Sequence, residues 1–136
     1  MKRTKKNNKG FSLVELIVVV LIMAIIAVAL APQVMKWVNE SRKSADASTY
    51  DSVVAAAQDA LADEEVWKEV TGGADFTITI NTTEVTNGGG AKFTAEFKKQ
   101  IGGNPDSIKL KQSGATATVT VQKDGTVVRT QEPEAK

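Results

Sequence analysis

The pattern of hydrophobic and polar positions changes character three times along the chain, and each change predicts a different element. Between positions 16 and 31 no residue is charged or strongly polar, and from 11 to 35 only Ser12, Glu15 and Gln33 interrupt the apolar run. A helix rises about 1.5 Å per residue, so roughly 20 apolar residues cross a bilayer core, and this segment is long enough to do so. It holds no glycine between Phe11 and Pro32. Pro32 removes one backbone donor and crowds the preceding turn, which predicts a kink there. Beyond it Tyr50, Val53, Val54, Ala57 and Leu61 recur at three- and four-residue spacing, so the helix is expected to continue to about Leu61 as a stalk with one apolar stripe. The small, polar residues between 39 and 52 read either as a solvated helix face or as a contact between subunits. Asp63 is placed to cap a short helix, or a continuation of the first, that Gly72-Gly73 ends.

From Ala74 the period becomes two. Phe76-Thr77-Ile78-Thr79-Ile80 alternates as a half-buried strand does, and so do 107–112, 116–122 and 126–130. Asp124-Gly125 marks a hairpin and Asn104-Pro105-Asp106 a turn. Phe93, Phe97 and Ile101 fall at i, i+4 and i+8, predicting a helix over 91–101, with a strand over 92–97 as the competing pattern. Asn87-Gly88-Gly89-Gly90 reads as a pliable loop, and 131–136, which contains Pro133, as a frayed tail. The sum is an α+β chain: a long N-terminal helix whose second half packs on an antiparallel sheet of about four strands. Its divisions are a leader over 1–10, an apolar half-helix over 11–35, and a soluble head over 36–136.

Charge alters the picture at one end. The formal net charge is +1, yet Lys2, Arg3, Lys5, Lys6 and Lys9 all precede Gly10. Starting from Phe11, 12 basic residues face 16 acidic ones, a balance of about −4. That excludes the basic stripe of a general nucleic-acid binder, and the leader cluster reads as a signal holding the amino end in the cytoplasm. With no cysteine and no histidine there is no disulfide, no thiolate site, and no use of the commonest general base. The Gly-rich loop lacks the G-x-x-x-x-G-K-[ST] order of a phosphate loop. Asp63-Glu64-Glu65 lacks a second set of metal ligands and reads as a solvated acidic turn. No catalytic residue, cofactor or metal site is expected.

Glu15 stands out, because a carboxylate in a bilayer costs about 2.5–3.5 kcal/mol on insertion scales. Gly10-Phe11-Ser12-Leu13-Val14-Glu15-Leu16, behind a Lys-rich leader and ahead of an apolar helix, resembles the class III signal and N-terminal helix of type IV prepilins. The resemblance covers about the first 35 residues. It implies cleavage between Gly10 and Phe11 by a prepilin peptidase and N-methylation of Phe11. It also implies pairing of Glu15 with the N-terminal amine of a neighbouring copy, and a proline kink at Pro32. The partners it implies are further copies of the chain in a helical homopolymer, an assembly ATPase with its platform proteins, and the membrane before assembly. Filaments of this kind serve adhesion, motility or DNA uptake. The absence of cysteine departs from many Gram-negative pilins and favours a Gram-positive pilin or a pseudopilin of a secretion or competence system. Two other readings of the N-terminus compete: an ordinary secretory signal, with A-x-A sites at Ala27-Val28-Ala29 and Ala29-Leu30-Ala31, and a plain single-span anchor in which Glu15 sits at the interface.

Overall fold

A computed structural model describes residues 10–134. The chain divides between Val38 and Asn39 into two compact units. One helix, α1 (Leu13–Leu61), belongs to both and contains Pro32. Among the described residues α1 is the only element of the first unit, and its apolar side chains are exposed around the whole circumference. None of the described residues covers them, as expected where the surroundings are to be lipid or other helices.

In the second unit, residues 39–61 of α1 are followed by α2 (Glu64–Thr71), β1 (Phe76–Ile80), β2 (Val85–Asn87), α3 (Ala91–Gln100), β3 (Thr116–Val121) and β4 (Val127–Glu134). The strands form one antiparallel sheet in the order β2-β1-β3-β4. Register sets its two faces. Ile78 opposite Val119 and Ile80 opposite Ala117 are buried, whereas Thr77 opposite Thr120 and Thr79 opposite Thr118 take the other face. The buried face packs in one core with Tyr50, Val53, Val54, Ala57 and Leu61, the stripe that the spacing predicted. Phe93 and Phe97 of α3 stack at 5.6 Å, and Phe76 meets Phe93 edge-on at 4.7 Å. Two helix ends have local causes. Asp63 Oδ1 accepts the N–H groups of Glu65 and Val66 at the start of α2, and the chain after α3 turns through Gly102 at φ +83°.

Four expectations need correcting. Residues 107–112 are not a strand. A 3₁₀ turn (Pro105–Ser107) leads into an extended segment whose donors leave the sheet: Leu110 N–H bonds to the Asn81 carbonyl, and Lys111 and Gln112 N–H bond to the Asp46 carboxylate. The fourth strand is instead β2, brought onto β1 by an Asx turn in which Asn81 Oδ1 accepts from Thr83 and Glu84 N–H. The tail is ordered into β4 as far as Glu134, and Pro133 is tolerated because β4 is an edge strand. Finally, the Gly88–90 stretch is packed rather than pliable. A Cβ at Gly89 would strike the Phe93 and Phe76 rings, and one at Gly90 would strike the Glu69 carboxylate.

Candidate functional site

The first unit carries every residue that the sequence singled out. Gly10 is exposed in open space, and Phe11 beside it is 90% exposed. Neither is helical, so the Gly10–Phe11 peptide is an accessible bond just before a helix start. Residues 1–9 of the leader lie outside the described residues. Ser12 is the residue before α1, and its carbonyl accepts the Leu16 N–H at 3.2 Å. Three residues on, Glu15 Oε2 accepts the Ser12 N–H at 2.9 Å. This is the glutamate half of a capping box, in which a first-turn carboxylate satisfies a backbone donor left over at the helix start. The sign of that charge also suits the positive end of the helix dipole. The S-x-x-E spacing that signals it stands in the sequence, where reading Glu15 solely as a partner for another chain passes it over.

Apolar parts of Phe11, Glu15, Leu16 and Val19 line a cleft of about 180 Å³ at the start of the helix. Pro32 lies within α1 and apart from this group in sequence. At the far end of the run, Trp37 is well exposed, and aromatic residues of this amphipathic kind favour the bilayer interface.

The second unit holds polar fastenings rather than a catalytic arrangement. Asp46 is completely buried on α1, inside the stretch read either as a solvated face or as a subunit contact, and its two oxygens accept Lys111 N–H at 2.6 Å and Gln112 N–H at 3.0 Å. Tyr50 donates its hydroxyl to the Thr118 carbonyl at 3.0 Å. Burial raises the Tyr50 pKa above its ordinary value, against the partly offsetting charge of Arg129, which lies over its ring and pairs with Asp51 at 2.7 Å. Glu69 of α2 accepts Phe93 N–H at 2.8 Å and Lys92 N–H at 3.2 Å, capping α3 from another helix. Those bonds, the one from Phe93 first, hold its carboxyl below the usual range. The acidic turn is occupied throughout: Asp63 caps α2, Glu64 pairs with Lys68 at 2.7 Å, and Glu65 with Lys92. Among the described residues no group of three acidic, histidine or cysteine side chains could hold a metal ion.

Residues 5–31 match the family model for the prokaryotic N-terminal methylation motif. No curated protein and no solved structure matches the chain. The N-terminal segment is thus a class III signal of the type found on type IV pilins, followed by a long apolar helix, and the α+β head is arranged as in pilins. The motif is that of a structural signal and not of an enzyme family. It supports a type IV pilin-like or pseudopilin-like protein, implies processing by prepilin peptidase and pilus assembly, and is consistent with a membrane-anchored precursor and a surface filament.

Proposed function

We propose that the chain is a structural subunit of a type IV pilus, with no catalytic role of its own. The supporting observation is the methylation motif at residues 5–31 on a helix whose apolar side chains are bare on all sides. Prepilin peptidase cuts the exposed Gly10–Phe11 bond and methylates the new amino group of Phe11. The half-helix over 11–35 anchors the precursor in the cytoplasmic membrane, with the head over 36–136 outside. An assembly ATPase acting through platform proteins then lifts the subunit out, and the same helix becomes filament core among its copies. One-sided, repeating contacts between identical chains that do not close produce a helical polymer. Glu15 sits four residues after Phe11, so its carboxylate is close enough in sequence to serve a neighbouring copy's methylated amine once the capping bond to Ser12 is shared or exchanged. Pro32 leaves one carbonyl of the helix ladder without its donor and gives the helix a place to bend as its surroundings change.

The test is mass spectrometry of the N-terminal peptide in filaments sheared from the cell surface. A peptide beginning at Phe11 and heavier by one methyl group is expected. A peptide beginning at Leu30 or Pro32, or an intact chain left in the membrane fraction, refutes the assignment.

A further inference from the structure

Asn87 and Gly88 form the chain's one Asn-Gly pair, and they stand where β2 ends at the edge of the sheet. This pairing is open to ring closure, because glycine has no Cβ to keep its backbone nitrogen away from the preceding side-chain carbonyl carbon. Packing accounts for Gly89 and Gly90 but not for Gly88. A Cβ at Gly88 would meet Phe76 Cβ at 3.5 Å and the Thr77 carbonyl at 3.7 Å, both ordinary contacts. Positive φ among the described residues is confined to Gly102, Gly103, Gly114 and Gly125. In the folded chain both reacting groups are held. Gly88 N–H donates to the Thr77 carbonyl at 3.0 Å, and Asn87 Oδ1 accepts the Thr94 hydroxyl at 2.9 Å. These are single bonds at the end of a three-residue edge strand, where a structure opens locally at small cost. Water reaches the junction from a cleft of about 310 Å³ that Gly88 lines with Glu69 and Asp75, whose carboxylates accept the N–H groups of Phe93 and Lys123.

We propose that Asn87 is a site of spontaneous deamidation, gated by release of Gly88 N–H from Thr77. With that bond open, the Gly88 nitrogen attacks the side-chain carbonyl carbon of Asn87. The N–Cγ bond forms, the Cγ–Nδ2 bond breaks, and ammonia leaves with the proton of the attacking nitrogen. Water then opens the cyclic imide. Opening at the side-chain carbonyl gives aspartate, opening at the main-chain carbonyl gives isoaspartate, and nothing is oxidised or reduced. Either product puts a new carboxylate at the end of β2. Isoaspartate also lengthens the main chain by one carbon beside Gly89 and Gly90, where Phe76, Phe93 and Glu69 leave no room even for a Cβ. The start of α3 then loses its seat on Glu69. The chain carries its own control in Asp124-Gly125. Gly125 N–H is bonded to the Gln122 carbonyl at 2.9 Å in a turn at φ +81°. Thr126 N–H bonds to the Asp124 carboxylate at 2.8 Å and holds its pKa below the usual range, and an ionised carboxylate resists ring closure because oxide is a poor leaving group. The reaction needs nothing from the N-terminal segment, so it stands or falls apart from the filament reading.

The experiment incubates the full chain for weeks at neutral pH in dodecyl maltoside, with the chain in guanidinium chloride as the unfolded reference. Peptide mass spectrometry locates each exchange of NH₂ for OH, and chromatography separates aspartate from isoaspartate. NMR measures hydrogen exchange at the Gly88 amide. One opening frees that nitrogen for both exchange and attack. Deamidation at Asn87 should therefore be slower in the folded chain by the Gly88 protection factor, about ten- to a hundredfold for the end of an edge strand. Asp124 should stay unconverted. Gly88→Ala should react roughly tenfold more slowly or less, with Val119 and Val121 amide shifts unchanged. The isoaspartate form should lose exchange protection at Phe93. No conversion in the folded chain while the unfolded one reacts overturns the site. Equal folded and unfolded rates with Gly88 protected overturn the gate, and an undiminished reaction in Gly88→Ala overturns attack by that nitrogen. Phe93 protection retained in the isoaspartate form overturns the effect on α3.

Discussion

Replacing Asp46 tests the main polar fastening of the head domain. Its carboxylate is fully buried and accepts two backbone donors, Lys111 N–H at 2.6 Å and Gln112 N–H at 3.0 Å. Both donors lie on an extended segment with no sheet partner, so the side chain does for 110–112 what a neighbouring strand does elsewhere. Asp46→Ala removes two charge-assisted bonds, each worth about 1.5–3 kcal/mol, and strands two partly buried donors. Relief from holding a carboxylate out of water offsets part of that loss, leaving a net cost of about 3 kcal/mol. For a unit of about 100 residues each kcal/mol lowers Tm by roughly 4–8 °C, so a fall on the order of 15 °C is expected. Asp46→Asn keeps one acceptor but turns an N–H₂ group toward a donor, and should cost about 2 kcal/mol. The assay is thermal unfolding of the full chain in detergent, together with amide hydrogen exchange. Lys111 and Gln112 should lose protection in Asp46→Ala at temperatures where Val119 keeps it. A Tm change below about 3 °C, or unchanged protection at both amides, would mean the segment is held by Leu110, through its burial and its bond to Asn81, and not by Asp46.

Three further predictions rest on the helix starts. Gly90→Ala should lower Tm by about 4–8 °C, the scale of a lost helix cap, because the new methyl displaces the Glu69 carboxylate from the start of α3. In a Glu69→Ala background the same change should cost little, and additive effects would refute that route. Glu69 has its folded-state pKa depressed, so its contribution is complete above the ordinary carboxylate pKa and is lost as pH falls through the folded value. The Tm gap between the natural chain and Glu69→Gln should therefore narrow on acidification from pH 7 to pH 3, and a constant gap would exclude the charge. Glu15→Gln can still cap Ser12 N–H but carries no charge, whereas Glu15→Ala does neither. If pairing with a neighbour's amine drives assembly, both variants insert in the membrane and both fail to form sheared filaments; normal filaments from Glu15→Gln would leave only the cap.

Periodicity made legible those elements whose partners are generic. The stripe from Tyr50 to Leu61, the alternation of β1 and β3, and the Phe93–Phe97 spacing of α3 each need only some apolar surface opposite, and each is where its pattern placed it. Elements that depend on one particular partner were not legible. Ile108 and Leu110 alternate because one side of the segment faces the core, a pattern that a strand shares, yet its donors are taken by Asp46 and Asn81. A three-residue strand such as β2 is too short to establish a period. Gly89 and Gly90 carry the composition of a slack loop, and only the approach of Phe93 and Glu69 shows why no side chain fits. At the N-terminus the Ser12 cap went unread although its S-x-x-E signal is local, because Glu15 was taken as a partner for another chain.

The bare half-helix poses an energetic question that its apolar residues do not answer. Between Phe11 and Val38, 19 large apolar side chains are 42–90% exposed. Burying each is worth on the order of 1–2 kcal/mol, so water is closed to this segment by roughly 20 kcal/mol or more. Lipid and a bundle of identical helices both relieve that cost, and between those two there is little hydrophobic preference, because acyl chains are about as apolar as leucine. Apolar composition thus keeps the helix out of water without choosing between bilayer and filament. The choice falls to groups that the two environments treat differently. In this segment Glu15 is the acidic one, penalised by about 2.5–3.5 kcal/mol at a bilayer centre and relieved only in part by a single N–H from Ser12. On the proposed assembly, an ammonium partner in the filament would reverse that term, and every added copy would supply the next such partner. One carboxylate per subunit would then contribute a bias toward the polymer that some twenty apolar side chains cannot.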